Sequence, residues 1–184
     1  MGEFHTEVVI EAAHAVASAT AIGGGTLRDV MLDVPVFWIA DTDYLYTTLI
    51  AAFVPIIWLR ISPRFPFHYL LIADAFGLAL FNVVGIEKAL ANDTGMAVAV
   101  AMGTITGVFG GLLRDVICRE VPLVLNGELY AMTCIAGGIV YGIALEFDLA
   151  TQWCGIAALA TTVVFRLGAM RWHWQLPVFY NDHH

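Results

Sequence analysis

The chain has 184 residues, of which 60% are hydrophobic and 13% charged, with a mean hydropathy of +0.80 and a formal net charge of −8. A soluble domain carries about one quarter charged residues, so this chain lacks the polar side chains to cover a globule of its size, and lipid is its expected solvent. Sixteen acids against eight bases, with no basic run, exclude a nucleic-acid-binding surface.

Six apolar segments follow one another: Val8–Leu32, Tyr44–Leu59, Phe67–Ile86, Gly95–Cys118, Leu129–Ala144 and Thr151–Met170. At about 20 apolar residues per crossing they use up the length, leaving no room for a separate soluble domain. The breaks hold Pro35, Arg60 with Pro63 and Arg64, Asn92 with Asp93, Arg119 with Glu120 and Pro122, and Glu146 with Asp148, which mark loops rather than helix interiors. The segments are too long and too evenly apolar for barrel strands. They predict an all-α membrane protein, a single transmembrane helix bundle over residues 1–184 with six helices visible. The first residues are acidic and no basic stretch precedes the first apolar run, so no secretory signal peptide is expected. Arg60, Arg64, Arg119 and Arg171 fall on one side of the membrane and only Lys88 on the other, which predicts a multi-pass topology with a cytoplasmic C-terminus. Trp38, Trp58, Trp153, Trp172 and Trp174 lie near segment ends, as an interfacial aromatic belt requires.

The first and fourth segments share a phrase. Gly24-Gly25-Thr26-Leu27-Arg28-Asp29-Val30 recurs as Gly110-Gly111-Leu112-Leu113-Arg114-Asp115-Val116, with Pro35 and Pro122 beyond the two copies. Three crossings separate them, so the two motif helices run in opposite directions. The chain is therefore an inverted-topology repeat, with the glycine clusters near the bilayer centre. Two readings of Gly23, Gly24, Gly25, Gly107, Gly110 and Gly111 stay open. Glycine lets a helix break, and a break inside a membrane frees carbonyls that must line water or protein. Glycine equally lets two helices approach closely.

Arg28, Asp29, Arg114 and Asp115 weigh towards a polar path, because an arginine or aspartate at depth costs about 2.5–3.5 kcal/mol. Adjacent residues on a helix point to different faces. The expected pairing therefore crosses the pseudo-axis, Arg28 with Asp115 and Arg114 with Asp29. The alternative is that both pairs sit at the interface as helix ends. Asp74 and Asn82 are two turns apart and share a face of the third segment. Lys88 either tunes a pore or snorkels to the headgroups. Thr104 and Thr106 either offer hydroxyls to an ion or bond their own helix. His14 and the cysteines Cys118, Cys134 and Cys154 are expected to be structural. No catalytic or metal-binding motif is present, so neither enzyme activity nor a cofactor is expected.

Ala21–Val30, Gly107–Val116 and the Glu128-Leu129-Tyr130 that follows resemble the prokaryotic relatives of the trimeric intracellular cation (TRIC) channels, also catalogued as UPF0126 or as a glycine-transporter domain. The resemblance covers almost the whole chain. It implies a homotrimer in the bacterial inner membrane, each protomer with its own pore for a monovalent cation, K⁺ or Na⁺, and lipid around it. It also implies seven helices, with kinks at the glycine clusters carried over to Gly23–Gly25 and Gly110–Gly111. Here the first repeat, about 8–66, lacks a counterpart of the family's first helix, with only Met1–Thr6 ahead of it. The second repeat runs about 67–146 and the last helix about 151–170. The leading expectation is a passive monovalent-cation channel whose broken helices offer backbone oxygens. The alternatives are a secondary transporter of a small zwitterion such as glycine and a non-conducting scaffold.

Overall fold

The computed structural model describes residues 20–48, 50, 67–122, 124 and 129–172, and every regular element among them is helical. We number these α1 (residues 20–31), α2 (Phe37–Ala40), α3 (residues 42–48), α4 (Phe67–Leu90), α5 (Met96–Ile117), α6 (Tyr130–Glu146) and α7 (Thr151–Trp172). The expectations for His14, for most of Tyr44–Leu59, for Arg60, Arg64, Trp58 and Trp174, and for a missing first helix lie outside the described residues. The last four predicted segments match α4 to α7 within a few residues. The largest difference is at α4, which continues through Glu87 and Lys88 to Leu90. Among the described residues, α5 and α7 are long and apolar enough to cross a bilayer, and α6 is shorter at 17 residues.

Four helices stop by the same device. Asp33, Asp93, Arg119 and Asp148 take φ of 54–57°, the left-handed conformation that ends a helix. The next amide then reaches back to the last turn: Val34 to the Asp29 carbonyl at 3.0 Å, Thr94 to Ala89 at 3.4 Å, Glu120 to Asp115 at 2.9 Å and Leu149 to Ala144 at 3.3 Å. Aspartate tolerates this conformation better than most side chains. Carbonyls left over at the helix end are thereby bonded without help from water.

The bundle carries many large apolar residues outward as well as in its core. Phe76, Leu80 and Val84 form an exposed stripe on α4, and Ile139, Ile143, Ile156, Val164 and Phe165 are exposed on α6 and α7. The buried set includes Arg28, Asp29, Asn82, Thr106, Asp115, Thr133, Thr162 and Arg166. Lipid suits the outer face, and the polar groups must then satisfy one another inside.

Helix α4 touches α5, α6 and α7, and α6 packs on both α5 and α7. Along the α4–α5 crossing, Gly103 and Gly107 of α5 sit against the Asn82 and Leu78 carbonyls of α4, where an added Cβ would lie 2.6 and 2.9 Å from oxygen. One turn further, a Cβ on Gly111 would lie 2.8 Å from the Tyr130 hydroxyl and 3.8 Å from Asp74 Oδ1. Positions rise by four on α5 as they fall by four on α4, so the two helices are antiparallel with a glycine stripe facing the Asp74–Leu78–Asn82 stripe.

Helices α1 and α5 meet reciprocally. A Cβ on Gly24 would lie 2.1 Å from the Thr106 carbonyl oxygen, and one on Gly110 would lie 2.7 Å from the Thr20 carbonyl oxygen. Each glycine thus rests on the carbonyl of the threonine one turn before the other glycine. Only an antiparallel crossing about a pseudo-two-fold axis gives that exchange, and it is the inverted repeat expected from the sequence.

Candidate ion pathway

The expected helix breaks are absent. Helix α5 is continuous through Gly103, Gly107, Gly110 and Gly111, and α1 through Gly23, Gly24 and Gly25. Glycine permits a break but does not force one, and lipid penalises every unbonded backbone group. The glycines give closeness instead. Gly24 accepts the backbone of α5, while Gly23 faces the Leu113 side chain and Gly25 the Phe37 ring.

The expected cross-axis ion pairs are also overturned. Arg28 Nε and Nη2 both donate to Asp29 Oδ1, at 2.8 and 2.6 Å, with the side chains 5% and 0% exposed. Arg114 Nε donates to Asp115 Oδ1 at 2.9 Å. Sequence neighbours do leave a helix on different faces, but the arginine stem is long enough to curl round to the next carboxylate. The second oxygen of Asp29 accepts the Phe37 amide at 2.8 Å, which fixes the short helix α2 against the end of α1. Trp38 Nε1 donates to Thr26 Oγ1 at 3.0 Å in the same corner.

Arg114 has a further partner. Its Nη1 donates to Asp74 Oδ1 on α4 at 2.8 Å, and Asp74 Oδ2 accepts the Tyr130 hydroxyl of α6 at 3.1 Å. The Tyr130 ring in turn lies under the Arg166 guanidinium of α7, with Cζ 4.4 Å from the ring centroid. Cation–π attraction of this kind strengthens when both groups are desolvated, and Arg166 is 1% exposed. Asp115, Arg114, Asp74, Tyr130 and Arg166 form one chain across four helices, with two acids balancing two guanidinium groups. Gly111 leaves the room that brings the Tyr130 hydroxyl to Asp74.

Two turns along α4 lies a neutral polar cluster. Asn82 Nδ2 donates to the Cys134 carbonyl at 3.0 Å and to Thr162 Oγ1 at 3.4 Å. Asp74 and Asn82 do share a face, yet they serve different clusters. Thr106 Oγ1 donates to the Met102 carbonyl at 2.6 Å and Thr104 Oγ1 to Val100 at 2.9 Å, the local bonding held open for both. Lys88 stands at the end of α4, away from either cluster, with its carbonyl taking the Asn92 side-chain amide at 2.7 Å. Cys134 and Cys154 are buried, but Cys118 is exposed just beyond α5, so the structural expectation fits only the first two.

Arg166 and Tyr130 escaped the sequence reading as site residues. The signal for Arg166 was present: an arginine inside an apolar helix, five residues before Arg171, needs a partner at depth. Tyr130 was legible only as the end of the Glu128-Leu129-Tyr130 phrase, with no sign of its bond to Asp74.

A family profile described as glycine transporter matches residues 5–60 and 71–146. A UPF0126 membrane protein of Vibrio cholerae is 44% identical over 164 residues, covering 89% of this chain and 69% of the relative. The UPF0126 inner membrane protein YadS of Escherichia coli K12 is 42% identical over 165 residues, covering 89% and 80%. Among solved structures, the TRIC trimeric intracellular cation channel orthologue from Rhodobacter sphaeroides superposes with a TM-score of 0.78 at 30% identity, over 90% of this chain and 93% of that one. A second TRIC cation channel structure gives 0.79 at 28% identity over 99% and 98%.

Proposed function

Because the chain belongs to the TRIC/UPF0126 family of membrane proteins, we propose that it is a passive cation channel of the bacterial inner membrane. It selects monovalent cations, K⁺ or Na⁺, and each protomer of a homotrimer has its own pore. The C-terminus lies in the cytoplasm. The observation that carries this reading is the largely buried chain of Asp115, Arg114, Asp74, Tyr130 and Arg166 inside an outwardly apolar bundle with a channel fold. Ionised groups at membrane depth are costly and mark ion paths.

In this reading the described conformation is the closed one. Both acids of the layer are held by Arg114, and the crossing of α1 and α5 is too tight to pass an ion. Opening requires Arg114 to release Asp74, which would turn a neutral layer into a cation-attracting one. The pore is lined by side chains beside glycine-packed helices, not by carbonyls from broken ones.

Planar-bilayer recording of the reconstituted chain tests this. Unitary K⁺ currents, with a reversal potential that follows the cation gradient, are expected. Saturable glycine uptake into proteoliposomes without such currents would replace the channel with a zwitterion carrier. Neither currents nor uptake would leave the bundle a scaffold.

A further inference from the structure

Unbroken helices remove the main-chain oxygens expected to meet an ion, so a midplane ligand must come from a side chain. Among the described residues, the buried side-chain oxygens without a hydrogen-bond partner are Asn82 Oδ1 and Thr94 Oγ1. Thr94 belongs to the turn between α4 and α5, whereas Asn82 is 0% exposed in the middle of α4.

The orientation of the Asn82 amide is fixed by chemistry. The Cys134 carbonyl can only accept, so the amide atom 3.0 Å from it must be the nitrogen. Oδ1 therefore points the other way, towards α5, where a Cβ on Gly103 would lie 2.7 Å from it. On the same helix and one turn on, Thr106 gives its only proton to the Met102 carbonyl and keeps its lone pairs. Thr106 Oγ1 lies 2.8 Å from where a Cβ on Gly85 would stand, and that same position is 2.7 Å from the Gly103 Cα. Two oxygens with uncommitted lone pairs, from α4 and α5, thus flank one glycine-lined crossing. A buried amide oxygen left without a donor carries a desolvation penalty.

We propose that Asn82 Oδ1, assisted by Thr106 Oγ1, is the midplane contact for a partly dehydrated monovalent cation. This rests on the channel reading. Neutral oxygens give the weak hold that conduction needs, since an ion must leave as readily as it enters. The amide nitrogen, anchored on α6 and α7, keeps Oδ1 aimed while α4 and α5 part around the ion.

The test records Asn82→Leu, Asn82→Asp and wild type as full chains in bilayers under matched K⁺ and Na⁺ solutions. Asn82→Leu keeps the bulk and removes the oxygen. It is expected to lower unitary K⁺ conductance about tenfold, the effect of one lost ion–oxygen interaction, and to shift the K⁺/Na⁺ permeability ratio. Asn82→Asp keeps an oxygen and adds charge, while giving up the bond to the Cys134 carbonyl. It is expected to conduct, with half-saturation at a lower K⁺ concentration. If Asn82→Leu does not fold, the Asn82→Asp saturation curve decides alone. Wild-type conductance and selectivity in both variants would overturn the proposal, as would loss of thermal stability without any change in unitary properties. A silent wild type would instead sink the channel reading itself.

Discussion

Replacing Gly24 with alanine probes the α1–α5 crossing at its tightest point. The new methyl would stand 2.1 Å from the Thr106 carbonyl oxygen, and ordinary contact begins near 3.4 Å, so it is about 1.3 Å too close. Both partners are backbone, and no side-chain rotation relieves the clash. Overpacking of this kind costs about 1–3 kcal/mol, and the upper half of that range is expected here. Gly110→Ala meets the Thr20 carbonyl at 2.7 Å and needs only about 0.7 Å of movement, so its cost falls in the lower half. Gly77 on α4 has nothing within 4 Å of its would-be Cβ. Gly77→Ala is therefore expected to be neutral or to stabilise by up to about 1 kcal/mol through helix propensity. At roughly 2–4 °C of Tm per kcal/mol for a chain of this length, Gly24→Ala should melt several degrees below wild type in detergent, Gly110→Ala between them, and Gly77→Ala at or above wild type. A Gly24→Ala protein as stable as the Gly77→Ala protein would refute the close crossing.

Tyr130→Phe keeps the ring under Arg166 and removes only the hydroxyl bonded to Asp74. A loss of about 1.5–3 kcal/mol, as for other hydrogen bonds to charged groups, is expected in thermal unfolding, and Tyr130→Ala should cost clearly more. Asp29→Asn still accepts the Phe37 amide but leaves the buried Arg28 guanidinium uncompensated. Removing one partner of such a pair costs about 3–5 kcal/mol, which would show as a large fall in Tm, whereas an unchanged Tm would mean the pair is solvated. Arg114→Gln removes the guanidinium that Asp74 and Asp115 share. Open probability in bilayers is expected to rise about tenfold, the equivalent of one ionic hydrogen bond; an unchanged value would show that Arg114 does not hold the closed state.

The helices were legible because lipid imposes a simple rule: about twenty apolar residues, then a polar stop. The stops themselves were visible as Asp93, Arg119 with Glu120, and Asp148. The repeat was legible because Gly-Gly-x-Leu-Arg-Asp-Val is too unusual to arise twice in an apolar chain. What the glycines do was not legible, since the same residue serves a break or a close crossing, and only the position of the Thr106 and Thr20 carbonyls decides. The ion pairs went wrong for a related reason. A face-by-face argument fixes where Cβ points, but an arginine carries its charge several bonds beyond Cβ, far enough to reach Asp29 or, from α5, Asp74 on another helix. Arg166 and Tyr130 depend on how α6 and α7 lie on one another, which periodicity does not specify.

The repeated phrase has a coherent purpose once its two ends are separated. The first glycine makes the crossing, and four residues later the Arg-Asp pair reaches the last turn of the same helix. There the carbonyl of the aspartate closes the helix through Val34 or Glu120. At 1.5 Å per residue, Arg114 stands about 12 Å along α5 from Thr106. Because α1 and α5 are antiparallel, the Arg28–Asp29 layer lies on the opposite side of the crossing from the Arg114–Asp74 layer. The duplicated motif therefore puts an Arg-Asp layer on each side of the crossing. The two layers are not equal: Arg28 is sealed against its acid at 5% exposure, while Arg114 is 21% exposed and divided between two acids. Inverted topology thus supplies two layers of the same chemistry, and the extra carboxylate of α4 ties only one of them to a neighbouring helix.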